Sequence, residues 1–321
     1  MIVTVERAAL NRVMENIERV VVGKREEIEL SLTALLAKGH VLLEDVPGVG
    51  KTMMVRAIAR SIGAEFKRIQ FTPDLLPSDV TGVSIFNQKN MEFEFRSGPI
   101  MSHVVLADEI NRTSPKTQSA LLEALEESSV TVDGKTRKLH EPFFVMATQN
   151  PIEHGGTYPL PEAQLDRFLL KMKMGYPTGS EELEVLNRVE QRHPIEELEH
   201  VLSLEEILSM QHAAGRVFVD QSIKQYIVNI VRETREHAEV YLGVSPRGSI
   251  ALMKASQAYA YLQGRDFVVP DDVKYLAPYA LVHRMMLRSD MQVMDRQGAD
   301  VIKDILSRLR VPTSASETVI K

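Results

Sequence analysis

The chain has 321 residues, so a large domain with a smaller companion is a more natural arrangement than a single small core. Its 38 Lys and Arg against 44 Asp and Glu give a formal charge of −6, which speaks against nucleic acid as a bulk electrostatic partner. The absence of cysteine excludes a disulfide framework and thiolate metal centres. With no secretory layout at the start and no apolar run near the ~20 residues of a membrane span, a cytoplasmic location without direct membrane insertion is expected.

In chain order, Val21-Val22-Gly23 precedes an amphipathic helix, and an apolar strand over 41–44 follows. That strand runs into Asp45-Val46-Pro47-Gly48-Val49-Gly50-Lys51-Thr52, a glycine turn that opens a helix. Gly48 and Gly50 let backbone N–H groups face phosphate oxygens, Lys51 can reach terminal phosphates, and the Thr52 hydroxyl can ligate Mg²⁺. The strict pattern asks for glycine where this chain has Asp45.

Further strands are predicted over 66–71, 104–108, 143–148 and 168–172. They alternate with helices up to about Pro177, the pattern of a mainly parallel sheet covered on both faces. Thr113-Ser114-Pro115 announces a helix that places Leu121, Ala124, Leu125 and Ser128 on its packed face. Hairpin signals at 84–87 with 91–95, and at 130–132 with 136–139, read as insertions into this core. After residue 178 the signals are helical: capping-box spacing at Thr178/Glu181 and Ser203/Glu206, then helices over 221–240, 247–263 and 270–280, and a polar tail over 312–321. The expected division is therefore 1–178 and 179–321.

The strand over 104–108 ends in Asp108-Glu109 at the carboxyl edge of the sheet, the edge that also receives the glycine turn. Asp108 would hold Mg²⁺ beside Thr52, and Glu109 would orient and polarise an attacking water. Taken alone, the pair also fits a solvated strand end. The next strand delivers Asn150, which either hydrogen-bonds the water or γ-phosphate or starts a turn before Pro151. Met53 adjoins the loop and, with Met54, Met253 and Met285, fits core stripes. His193, His212 and His283 lack metal-ligand spacing, so no transition-metal centre is expected.

With these elements in order, the chain resembles the MoxR family of AAA+ ATPases. The resemblance rests on residues 42–52 (LLEDVPGVGKT), 107–127 (ADEINRTSPKTQSALLEALEE), 147–151 (ATQNP), 156–169 (GTYPLPEAQLDRFL) and 244–248 (VSPRG). In that family Asp45 is the usual variant, while His154 stands where Gln is more common. The resemblance implies a P-loop AAA+ α/β nucleotide domain with a parallel five-stranded sheet and an all-α helical lid.

It also implies ATP and Mg²⁺ as cofactors, with Pro47, Gly48, Val49, Gly50, Lys51, Thr52 and Met53 on the phosphates, and Val22 and Gly23 at the adenine. Thr52 and Asp108 fall on the metal, Glu109 is the catalytic glutamate and Asn150 the polar sensor. Arg167 matches the arginine finger supplied across a subunit boundary, or else pairs with Asp166 or Glu162 within its own chain. Arg247 matches the second sensor at a helix start of the lid, where the macrodipole disfavours a cation by roughly 0.3–1 kcal/mol. Arg112 faces either a neighbour's phosphates or solvent.

The implied activity is hydrolysis of ATP to ADP and phosphate by a ring, expected to be hexameric, that remodels or matures proteins, often with von Willebrand factor A domain partners. Two alternatives stay open. One is a nucleic-acid motor, favoured only by Lys135, Arg137 and Lys138 on the second hairpin; the other is an ATP-dependent assembly switch.

Overall fold

A computed structural model describes residues 2–150, 157–190, 194–289 and 296–312, with side chains from Arg7 onward. Helices α1 (Ile2–Glu18) and α2 (Arg25–Leu36) lead into β1 (Val41–Glu44), α3 (Lys51–Ser61) and β2 (Phe66–Gln70). A short α4 (Pro77–Thr81) precedes the hairpin of β3 (Gly82–Asn87) and β4 (Glu92–Ser97), after which come β5 (Val104–Asp108) and α5 (Pro115–Glu127). A second hairpin, β6 (Ser129–Val132) with β7 (Lys135–Lys138), is followed by β8 (Phe144–Gln149), α6 (Glu162–Leu165) and β9 (Leu170–Met172).

Five strands pair in parallel in the order β2-β5-β8-β1-β9. The period of two expected of a strand covered on both faces is explicit: Val104, Leu106, Phe144 and Met146 join one buried cluster, while Val105, Ala107, Val145 and Ala147 join the other. The first cluster also takes up α1, α2 and α3, and the second takes up the inner face of α5. Ser128 is not on that face. It ends α5 in the left-handed region at φ 49°, exposed, because the helix stops one residue before a strand must begin.

Both predicted capping boxes form. Thr178 N donates to Glu181 Oε2 (2.7 Å) ahead of α7 (Gly179–Val189), and Ser203 N donates to Glu206 Oε2 (2.8 Å) ahead of α8 (Leu204–Ala214). Helices α9 (Gln221–Glu236), α10 (Pro246–Leu262), α11 (Pro270–Leu281) and α12 (Gly298–Arg308) follow among the described residues.

One short antiparallel ribbon, β10 (Val240–Leu242) with β11 (Met286–Leu287), interrupts the helices, so the helix expected over 221–240 stops at Glu236. Strands of three and two residues carry no readable alternation. The second unit shares the first buried cluster through Ile207, Ile227, Leu252, Leu276 and Ile302, which ties it to α2 and the sheet. The tail expected over 312–321 lies outside the described residues beyond Pro312.

Candidate functional site

The glycine turn joins β1 to α3. Gly48 and Gly50 have φ of 87° and 90°, and a Cβ at either would meet nothing within 4 Å, so backbone conformation rather than crowding demands glycine there. The N-cap of α3 is Gly50, which has no side chain to cap the helix, so among the described residues its first N–H groups are left for an anion. Lys51 Nζ donates to the main-chain oxygens of Asp45 (2.9 Å) and Val46 (3.1 Å), folded onto its own loop.

Asp45, the departure from the strict pattern, has a structural task. Its Oδ1 accepts from Val46 N (2.8 Å), and its Oδ2 accepts from Met174 N (2.7 Å) and Gly175 N (2.6 Å). The buried Lys24 holds the same segment from the other side, its Nζ donating to Met174 O (2.6 Å) and Tyr176 O (3.3 Å). The chain leaving β9 for α7 is thus pinned to the turn that faces phosphate.

Asp108 and Glu109 emerge one strand away from β1, across β8. Thr148 Oγ1 donates to Asp108 Oδ1 (2.5 Å) and accepts from Glu109 N (2.8 Å), fixing both residues to β8. Glu109 adopts φ 59°, a left-handed conformation that costs a non-glycine residue about 1–2 kcal/mol. Arg68 grips Asp108 Oδ2 through Nη2 (2.6 Å) and Nε (3.1 Å), and Gln70 Nε2 donates to Glu109 Oε2 (2.6 Å), which also faces Arg112 Nη1 at 3.2 Å. The acidic pair is therefore already neutralised by the protein.

Pro47, Gly48, Lys51, Thr52, Asp108, Glu109 and Asn150 line one cavity of about 370 Å³, with Arg68 in its wall. Thr52 and Asp108 give that cavity a hard-oxygen donor set suited to Mg²⁺. Gly48, Gly50 and Met53 are shared with a second, largely apolar recess of about 170 Å³ walled by Val20, Val21, Val22, Val49, Val185 and Val189. A polar cleft opening onto an apolar recess fits a triphosphate carrying a flat base. Gly23 does not line the recess; its φ of 69° and the Glu181 side chain, within 2 Å of where a Cβ would sit, account for glycine there.

Arg167 and Arg247 lie elsewhere. Arg167 Nη2 contacts Glu126 Oε2 (3.1 Å) and Arg247 Nη2 donates to Glu126 Oε1 (2.5 Å), in a cavity of about 230 Å³ that shares no lining residue with the phosphate-loop cavity. Lys38, Gly39 and His40, at the start of β1, line it, so it opens at the amino edge of the parallel sheet, whereas the glycine turn leaves the carboxyl edge. The four residues of β1 alone rise about 13 Å between those edges.

Neither anticipated intrachain partner takes Arg167. Arg284 claims Asp166, pairing with its carboxylate and donating to its main-chain oxygen (2.9 Å). Ser245 Oγ reaches Asp166 Oδ2 at 3.4 Å, and His283 Nε2 meets Phe168 O at 2.9 Å, so the second unit holds the segment carrying Arg167 from both sides. Burial, then the Arg284 charge, lowers His283 to a pKa of about 3, and the ring is neutral.

Sequence reasoning missed Arg68, Gln70, Thr148 and Glu126. Arg68 and Gln70 alternate along an edge strand and carry no motif, whereas Glu126 stood inside a quoted motif as one acid among several. Among the described residues no group of His, Asp and Glu could hold a metal by itself, and no helix is long and apolar enough to cross a membrane. His154 and His193 lie outside the described residues.

Comparison with known proteins finds matches over most of the chain. The family described as "ATPase family associated with various cellular activities (AAA)" matches residues 40–170, and an AAA lid domain matches 232–305. The YeaC protein of Bacillus subtilis is 66% identical over 307 residues, covering 96% of each chain. The protein named Chaperone MoxR1 of Mycobacterium tuberculosis is 42% identical over 312 residues, covering 94% of this chain and 82% of its own. A crystal structure from Cytophaga hutchinsonii, described as that of a candidate ATPase, superposes with a TM-score of 0.91 at 37% identity, over 97% of both chains.

Proposed function

The chain belongs to the MoxR family of AAA+ ATPases, and from that premise we propose that it works as a ring, hexameric by family resemblance, with each ATP bound between two copies. One copy contributes the phosphate loop, the acidic pair and the apolar recess; the next contributes Arg167 and Arg247. In this reading residues 1–178 form the nucleotide domain and 179–321 the lid.

Each side chain then has a task. Lys51 leaves the loop carbonyls for the β- and γ-phosphates, Thr52 and Asp108 hold Mg²⁺, and Glu109 orients the attacking water with Asn150 beside it. Bound Mg²⁺ supplies charge neutralisation on the phosphates. The two guanidinium groups of the neighbour stabilise charge that develops on the transferred phosphoryl. Because Ser245, His283 and Arg284 hold the Asp166–Phe168 segment, movement of the lid and movement of Arg167 are coupled.

The carrying observation is the separation of the two cavities to opposite edges of one sheet, which keeps Arg167 and Arg247 away from the chain's own Lys51 and supports a shared cleft. The work performed is chaperone-like remodelling of protein clients, a reading supported by the word chaperone in the name of the mycobacterial relative; von Willebrand factor A domain proteins as partners and the cytoplasm as location follow from the family resemblance alone. Arg137, one of the three cations that favoured nucleic acid, lies over the Phe95 ring at 3.9 Å, where it bridges the two hairpins.

The test is specific ATPase activity against protein concentration. A shared cleft gives activity per chain that rises as copies associate; a flat dependence down to concentrations where the protein is monomeric would refute it.

A further inference from the structure

Glu126 sits at the last turn of α5, where the macrodipole disfavours an anion, and Arg247 sits in the first turn of α10, where it disfavours a cation. Each is tolerated because it meets the other. The Glu126 carboxylate engages Arg247 on one oxygen and Arg167 on the second, and among the described residues it is the acid that ion-pairs with both guanidinium groups, while Asp166 is paired with Arg284. The hydrogen bond from Arg247, and then the Glu126 charge, raises the Arg247 pKa above its ordinary value.

We infer that Glu126 is a positioning residue that occupies the place of a neighbour's phosphate: it gathers Arg167 and Arg247 in the nucleotide-free chain and gives way when the triphosphate held by a second copy arrives. This inference rests on the shared-cleft reading above. Among the described residues the cavity around Glu126 is lined by Lys38, Arg167, Arg247, Lys254 and Arg284 against Glu126 and Asp166, so it presents five cationic groups to two carboxylates. Among the described residues the buried Nε of Arg167 has no hydrogen-bond partner, which leaves the guanidinium incompletely satisfied by Glu126 alone.

A phosphate brings more charge and more acceptor oxygens than a carboxylate, and the N-terminus of α10 favours an anion there. The Glu126 side chain is 31% exposed, on a helix end, and can swing away without breaking the core.

Association with ATP and Mg²⁺ tests this, followed by sedimentation velocity over a range of protein concentrations in a Glu109→Gln background that keeps ATP intact. With the competing charge removed, Glu126→Gln should reach half-assembly at a protein concentration lower by about threefold or more, and should leave the nucleotide-free protein unchanged. Glu127→Gln removes the same charge one residue away and should leave assembly as in the parent. An unchanged or raised half-assembly concentration for Glu126→Gln, or an equal gain for Glu127→Gln, overturns the inference. Arg167→Ala, made with Glu109 intact, separates the two levels: if it hydrolyses ATP as the parent does, the shared cleft itself fails, whereas loss of hydrolysis with Arg167→Ala and no assembly gain with Glu126→Gln defeats the role of Glu126 alone.

Discussion

Arg167 and Arg247, one just ahead of the last sheet strand and the other at the start of a lid helix, take opposite oxygens of a single carboxylate, at 3.1 Å and 2.5 Å. Neither touches the phosphate loop of its own chain. Two cations brought together by folding, away from the phosphate-loop cavity of their own chain, are the feature on which the proposed two-copy cleft rests.

Removing Arg167 should therefore abolish turnover while sparing nucleotide capture. For Arg167→Ala the expected loss in kcat is about 100-fold or more, with binding of a fluorescent ATP analogue to the isolated chain unchanged. Arg247→Ala should lose about tenfold and uncouple the lid, read as altered proteolysis of the α9–α10 connection with ATP. Loss of analogue binding in either variant would argue for a contact within the chain.

Arg68 places a guanidinium against Asp108, the carboxylate expected to face Mg²⁺. A metal must displace it. Arg68→Gln should lower the Mg²⁺ concentration giving half-maximal ATP binding by a few-fold, measured by titrating Mg²⁺ against the fluorescent analogue; an unchanged midpoint would mean that Arg68 moves without competing.

Asp45 accepts three backbone N–H groups, two of them from the segment leaving the sheet. Replacing it by glycine restores the strict phosphate-loop pattern and removes all three acceptor contacts. Asp45→Gly should cost about 2–4 kcal/mol in chemical unfolding without improving ATP affinity. A variant as stable as the parent would contradict the pinning role.

These three cases show where the sequence is readable and where it is not. The core strands were legible because burial on both faces leaves uninterrupted apolar runs, and β1 and β5 end where the runs end. The phosphate loop and acidic pair were legible because their chemistry needs fixed spacing within a few residues. Arg68 on Asp108, Gln70 on Glu109 and Glu126 under two arginines were not, because strand order and lid docking alone bring those groups together. The β10–β11 ribbon escaped because its strands are shorter than the alternation that would reveal them.

Acid should destabilise the fold through two buried histidines. His40 accepts from Val145 N on Nδ1 (3.1 Å) and faces Leu125 O through Nε2 (3.2 Å), and burial lowers its pKa from 6.5 to about 4; His283 is lowered to about 3. Both stay neutral in the fold while the unfolded chain takes up protons from pH 6.5 downward. Their stability is therefore complete above pH 6.5 and falls toward the lowered values, by roughly 2 kcal/mol for each at pH 5. Chemical denaturation at pH 7 and pH 5 should show this loss, with a shallower pH dependence in His40→Gln; equal slopes would assign the acid sensitivity to other groups.

The shared cleft is tested most directly by mixing two inactive variants. Glu109→Gln lacks a working acidic pair but offers intact arginines, and Arg167→Ala has a working pocket but offers no finger. If each cleft is built from two copies, combining them before adding ATP and Mg²⁺ should restore hydrolysis well above the sum of the separate preparations. Activity that stays at that sum, in mixtures shown to co-assemble, would contradict the account.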